Sequence, residues 1–183
     1  MPIALVFTGH MTDLPDRKEP RFPPALEGAA RTAIGAELDS LKARGIAGGF
    51  ASGARGGDIL FHEECRKRGI ATTIVLPFAP DEFAKASVEG VDDGDWPRRF
   101  RRLWDQTPAE RRLVLNLPAT DDAFAICNTR LLELARHEGP IHLIALWDGK
   151  GGDGPGGTAD MVSQAAGSGD HPHIIAPQDL LRS

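Results

Sequence analysis

The residues Ser52-Gly53-Ala54-Arg55-Gly56-Gly57-Asp58 combine glycines, a hydroxyl, a guanidinium and a carboxylate in one short stretch. Glycines let backbone N–H groups close on an anion, and a helix that follows adds its unpaired N–H groups and positive dipole end. Phosphate is the natural guest of such a turn. Arg55 could add a bidentate contact, and Asp58 could cap the helix or accept hydrogen bonds from a ribose. The stretch is neither GxGxxG nor GxxxxGK[ST], so it does not read as the fingerprint of a dinucleotide oxidoreductase or of a P-loop NTPase.

Two further stretches have similar chemistry. Thr8-Gly9-His10 offers a hydroxyl, a close backbone approach and an imidazole able to bind a polar group or exchange a proton. Asp148 to Thr158 is glycine-rich and ends in Gly156-Gly157-Thr158, where Thr158 is expected to serve as N-cap and phosphate contact at once. Asn128, on a segment of helical period, points into the same crevice or into solvent. The carboxylates open to a catalytic role are Asp58, Glu63 and Asp160. Neither the six histidines nor Cys65 and Cys127 stand at metal-ligand spacing, so no metal and no resident cofactor are expected, and both cysteines read as reduced core thiols.

These stretches need elements to hold them. Short apolar runs alternate with longer segments of helical period, which predicts βαβ units and a parallel sheet between two helix layers. Strands are expected at Ile3–Phe7, Ile46–Ala51, Ile70–Leu76, Arg112–Leu117, Ile141–Trp147 and His173–Ala176. Helices are expected at Ala25–Arg44, Gly57–Arg68, Asp81–Val88, Asp121–Arg136 with Thr120 as cap, and Thr158–Ala166. In an open sheet of this kind ligands lie beyond the carboxyl ends of the strands, where all three stretches fall.

The segment 89–106 stands apart. Asp92-Asp93-Gly94-Asp95 reads as flexible, and Trp96 to Trp104 is basic and aromatic. It reads as an insertion or lid, as a base-stacking surface, or as an amphipathic helix with its aromatics on the core.

Composition fits one ordinary domain: 183 residues, 41% apolar, 26% charged, net charge −5. That charge gives no general attraction to duplex nucleic acid or an anionic membrane. No stretch is apolar for long enough to span a bilayer, and the first residues lack the pattern of a signal peptide, so a cytoplasmic location is expected.

The Ser52–Asp58 turn, its helix and Ile74-Val75-Leu76-Pro77 resemble the Rossmann-like SLOG superfamily, which includes the DNA-processing protein A family and the Lonely Guy phosphoribohydrolases. Gly154-Pro155-Gly156-Gly157-Thr158 resembles the proline-glycine-glycine loop of the latter. With Thr8-Gly9-His10-Met11, the whole chain is similar to a bacterial domain attached to tetratricopeptide or cyclase modules. The resemblance implies an α/β Rossmann-like three-layer sandwich with a mostly parallel sheet of five to seven strands. It also implies a pocket for a nucleotide or a cyclic-nucleotide or NAD-derived signal, and partners such as a second copy or an effector domain.

Where the phosphoribohydrolase motif has its glutamate, three residues beyond the threonine, this chain has Met161. Asp160 would point about 100° away on a helix. The residues therefore predict, for 1–183 as one domain, a binding or sensor role. A nucleoside-monophosphate N-glycosidase is the alternative, and single-stranded nucleic-acid binding is the third reading.

Overall fold

In the computed structural model, which describes residues 1–152 and 154–182, six strands form one sheet. They are β1 (Ile3–Gly9), β2 (Ile46–Ala51), β3 (Thr72–Leu76), β4 (Arg112–Val114), β5 (Ile141–Leu146) and β6 (His173–Ile175). Their order is β4-β3-β2-β1-β5-β6 and every pairing is parallel. The helices are α1 (Glu27–Ser40), α2 (Gly57–Lys67), α3 (Pro80–Ser87), α4 (Trp96–Gln106), α5 (Ala123–Glu138), α6 (Thr158–Gly167) and α7 (Pro177–Leu180). The fold is α/β and Rossmann-like, with helices on both faces of the sheet.

β1 shows why the sheet must be covered twice. Its residues are apolar without alternation, as a central parallel strand requires. Ile3, Leu5 and Phe7 join a core with α1, α2, α3 and α4, whereas Ala4 and Val6 join one with α5 and α6. Phe7 stacks on Phe61 of α2 with ring centroids 5.0 Å apart. Both cysteines are buried as free thiols.

Element boundaries differ from expectation where local chemistry intervenes. The expected helix 25–44 is α1 flanked by single 3₁₀ turns at Pro24–Leu26 and Lys42–Arg44. Thr120 does not cap α5: Asp122 is its N-cap residue, and the Thr120 carbonyl accepts from the Ala123 N–H at 3.1 Å. Thr158 is the first residue of α6 and Gly157 is its N-cap.

The segment 89–106 departs from the lid expectation. Trp96, Phe100 and Leu103 of α4 are buried in the α1–α2 side of the core. Lifting α4 away would expose three large side chains at roughly 1.5–3 kcal/mol each. Arg99 adds a second anchor: its guanidinium lies 4.0 Å over the Trp96 ring and reaches both oxygens of Glu63, at 2.9 and 2.8 Å. Of the readings open for this segment, the amphipathic helix on the core is the one observed. Among the described residues no helix is long and apolar enough to cross a membrane.

Candidate functional site

The chain leaves β1 toward β2 on one side of the sheet and leaves β5 toward β6 on the other. Adjacent strands whose connections diverge open a crevice at their carboxyl ends. A cavity of about 270 Å³ lies there, lined from β1, the β2–α2 turn, α3, α5 and the loop into α6.

The first wall is the end of β1 and the end of β5. β1 runs two residues further than its apolar run suggests, to Gly9, and pairs Thr8 with Ala145 and Gly9 with Leu146. That register sets His10 beside Asp148. His10 Nε2 is 3.0 Å from Asp148 Oδ1 and 3.2 Å from the Asp148 backbone nitrogen. Burial raises the Asp148 carboxyl, but the Lys150 N–H, His10 and Arg21 more than offset it, so Asp148 titrates below the ordinary range. His10 lines the cavity; Asp148 does not, and instead holds the imidazole.

The second wall is the β2–α2 turn, and here the expectation for Arg55 is corrected. Its Nε donates to the Thr12 carbonyl at 3.0 Å and its Nη1 to the Glu89 carbonyl at 3.0 Å. It is 5% exposed and is not a lining residue, so the guanidinium ties two neighbouring loops to the turn. Gly53, Gly56 and Gly57 likewise do not line the cavity. Gly56 has φ +90°, and a Cβ there would stand 2.6 Å from the Thr12 nitrogen, so this glycine serves loop packing.

The turn does present Ser52, Ala54 and Asp58 to the cavity. Asp58 is nine-tenths buried and its Oδ2 accepts from the Ala54 N–H at 3.1 Å. It has no ion-pair partner among the described residues. Burial, only partly offset by the Ala54 N–H, pushes its carboxyl up to about 7. His62, one turn further along α2, lies behind it. Its Nε2 donates to the Ser52 carbonyl at 2.8 Å, which leaves Nδ1 to accept from Thr72 Oγ1 at 2.8 Å. Burial holds this imidazole down at about 4, so it is neutral.

The third wall is the loop into α6. Gly156 has φ +85°, and a Cβ would stand 2.2 Å from Phe124 Cβ, so only glycine lets this loop close on α5. Asn128 Nδ2 donates to the Gly156 carbonyl at 3.0 Å, and the Gly156 N–H donates to Asp160 Oδ2 at 3.0 Å. Asn128, Gly156, Gly157 and Thr158 line the cavity. Asp160 does not; Gln164 Nε2, also at 3.0 Å, completes its surroundings.

Four hydroxyl-bearing residues, Thr8, Ser52, Ser87 and Thr158, line the cavity, and no side-chain hydroxyl among them has a hydrogen-bond partner among the described residues. Thr8, Ser87 and Thr158 are more than nine-tenths buried as residues, and Ser52 Oγ is itself buried. α6 begins without a side-chain cap, so its first N–H groups have no partner from the N-cap residue.

Of the three carboxylates considered for catalysis, only Asp58 reaches the cavity. Glu63 belongs to an ion-pair network of α1, α2 and α4, contacted by Arg31 at 2.7 Å as well as by Arg99. Burial raises it, but the two guanidinium groups more than offset that and keep it ionised. Among the described residues no three His, Cys, Asp or Glu converge on a metal position.

Several lining residues are not marked by the sequence. Phe83 and Ser87 come from α3 and Phe124 from α5, all of them positions that helical period assigns to packing. Arg21 comes from the proline-rich loop after β1, where no periodicity exists to read. Asp13 Oδ2 accepts from the backbone N–H groups of Arg21 and Phe22, at 2.9 and 3.0 Å, and so folds that loop back over the cavity.

No protein-family model matches the chain, and no curated protein matches it. Two chains of solved structures do. One is DNA processing protein A (DprA) from Streptococcus pneumoniae, 13% identical, with a TM-score of 0.38. The match covers 100% of this chain and 61% of that one, so the chain spans about three fifths of that protein's length.

Proposed function

We propose that the cavity binds a small phosphorylated, nucleotide-like ligand and that the domain recognises this ligand rather than transforming it. The carrying observation is the set of four unpartnered hydroxyls, from four separate elements, gathered in one cavity with the uncapped start of α6. A buried polar atom such as Ser52 Oγ is ordinarily satisfied, and a polar guest in the cavity would complete it while reaching the three neighbouring hydroxyls. The phosphate belongs at Gly156-Gly157-Thr158, where helix N–H groups, the dipole and the Thr158 hydroxyl converge. Arg21 supplies the cationic lining residue that Arg55 was expected to be. At about 270 Å³ the cavity is near the lower end of ligand pockets, roughly 300–1,000 Å³, which suits a mononucleotide better than a dinucleotide.

The N-glycosidase alternative keeps one specific support, a cavity carboxyl at Asp58 that titrates near neutrality, as a general acid must. Against it, Glu63 and Asp160 are engaged elsewhere, which leaves no second carboxylate from that trio at the cavity. Single-stranded nucleic-acid binding through Arg55 and the Arg98–Arg102 segment has less support: Arg98, Arg101 and Arg102 are exposed, but Arg55 is buried, and so are Trp96 and Phe100, two of the rings that would stack bases.

A thermal-shift and calorimetry series with nucleoside monophosphates and cyclic nucleotides tests the proposal. A ligand at a hundred times its Kd adds about 2.7 kcal/mol to stability. Thr158→Val is expected to weaken that ligand by roughly tenfold or more, since a hydrogen bond to a charged group contributes about 1.5–3 kcal/mol. Absence of any shift across the series sinks the proposal. Release of free base in the same samples, followed by chromatography, would replace it with the enzyme reading.

A further inference from the structure

Resting on the nucleotide reading of the cavity, we infer that Asp58 and Ser52 form the subsite that reads the base and that they select an oxo-purine edge over an amino-purine edge. Ser52 lies in the β2–α2 turn and Asp58 in the first turn of α2, and both line the cavity. Ser52 Oγ is buried without a partner, and its residue is fixed from behind by the His62 bond to its carbonyl. Asp58 accepts a single hydrogen bond, from the Ala54 N–H, and has no cation opposite it among the described residues. Phe83 and Phe124, lining from α3 and α5, provide apolar faces for a flat ring.

A hydroxyl donates one hydrogen bond while accepting others, whereas an ionised carboxylate only accepts. An oxo-purine presents a ring N–H next to a carbonyl, so Ser52 donates to the carbonyl and Asp58 accepts from the N–H. An amino-purine presents a bare ring nitrogen in place of that N–H, and its lone pair opposes the ionised Asp58. Asp58 must take up a proton before it can donate to that nitrogen. Base choice is thereby coupled to one proton.

Two groups packed near Asp58, His62 and Cys127, leave that proton to it. His62, on the same helix, is neutral with its imidazole held at about 4, and the Cys127 thiol of α5 is pushed by burial up to about 12. His10 and Asp148, at the ends of β1 and β5, are held against one another, and Arg21 lines the cavity from its own loop.

The test compares inosine 5′-monophosphate with adenosine 5′-monophosphate, which differ at this edge alone. Their phosphates titrate alike, so the ratio of the two affinities isolates the base. Calorimetry on the intact chain is expected to give at least a tenfold preference for the inosine nucleotide at pH 8, narrowing as pH falls to 6. Repeating the titration in two buffers of different ionisation heat should show proton release with the inosine nucleotide near pH 7.

Asp58→Asn offers a donor to the cavity and should abolish or invert the preference while removing its pH dependence. Ser52→Ala, whose hydroxyl has no partner to lose, should weaken the inosine nucleotide and spare the adenosine one, and it serves where the first variant does not fold. Equal affinities at pH 8, or tighter binding of the adenosine nucleotide, overturn the inference and leave the nucleotide reading standing. Binding of neither nucleotide overturns the inference, and the nucleotide reading then stands or falls on the wider series of nucleoside monophosphates and cyclic nucleotides.

Discussion

Asp58 and His62 sit one turn apart on α2 and pull the pH dependence of stability in opposite directions. The Asp58 carboxyl moves from its ordinary 3.8 up to about 7 on folding, so its protonated form favours the native state. Its contribution is complete below pH 3.8 and is lost as pH rises through 7, an amount on the order of 4 kcal/mol. His62 moves down, from 6.5 to about 4, and its contribution is present above pH 6.5 and is lost as pH falls toward 4. Urea unfolding of the wild type and Asp58→Asn from pH 5 to 8 should therefore diverge. The wild type is expected to lose stability relative to the variant as pH rises, and parallel curves would show that Asp58 ionises as freely as in the unfolded chain. In the sequence, Asp58 is legible as a residue that opens a helix beyond the carboxyl end of a strand, because strand, glycines and helix follow one another there. Its isolation from any cation is not, since that depends on which side chains the other loops bring near it.

At the scale of elements, the β2–α2 turn is held from outside. Arg55 reaches a carbonyl 43 residues before it and another 34 residues after it, linking the loop after β1 to the end of α3. Arg55→Lys keeps the charge but cannot bridge both carbonyls from a single ammonium. It is expected to cost about 1–3 kcal/mol in equilibrium unfolding, with at most a small loss of nucleotide affinity once the protein is folded. A large affinity loss at unchanged stability would restore Arg55 to the ligand. The position of Arg55 on the turn is legible in the sequence but its partners are not, because Thr12 and Glu89 lie in loops without periodicity. Strands and long helices were easier: β2 matches its expected span, and α2 departs by one residue at its end, because apolar period and glycine punctuation are local properties. The α4 segment was ambiguous for the same reason. Its arginines and aromatics fit a stacking surface as well as the amphipathic helix that their spacing favours, and the contacts with Glu63 and Glu27 that hold it in place come from α2 and α1.

The molecule as a whole divides at the seam between β1 and β5, and the cavity straddles it. The β2–α2 turn and α3 stand on one side, and α6 with its loop stands on the other. A ligand whose phosphate meets α6 and whose base meets Asp58 would add a link between the two sides to those made by the β1–β5 pairing, His10 with Asp148, and Asn128 with Gly156. Hydrogen exchange should then slow on ligand addition at amides 52–58 and at 156–160 together, because either stretch by itself contacts only part of the ligand. The α4 amides, 96–106, line no part of this cavity and should change no more than the global gain in stability requires. Protection at 156–160 without 52–58 would mean that only a phosphate is held. Strong added protection across 96–106 would mean that α4, despite its buried Trp96 and Phe100, moves onto the occupied site, which is the lid that its sequence suggests.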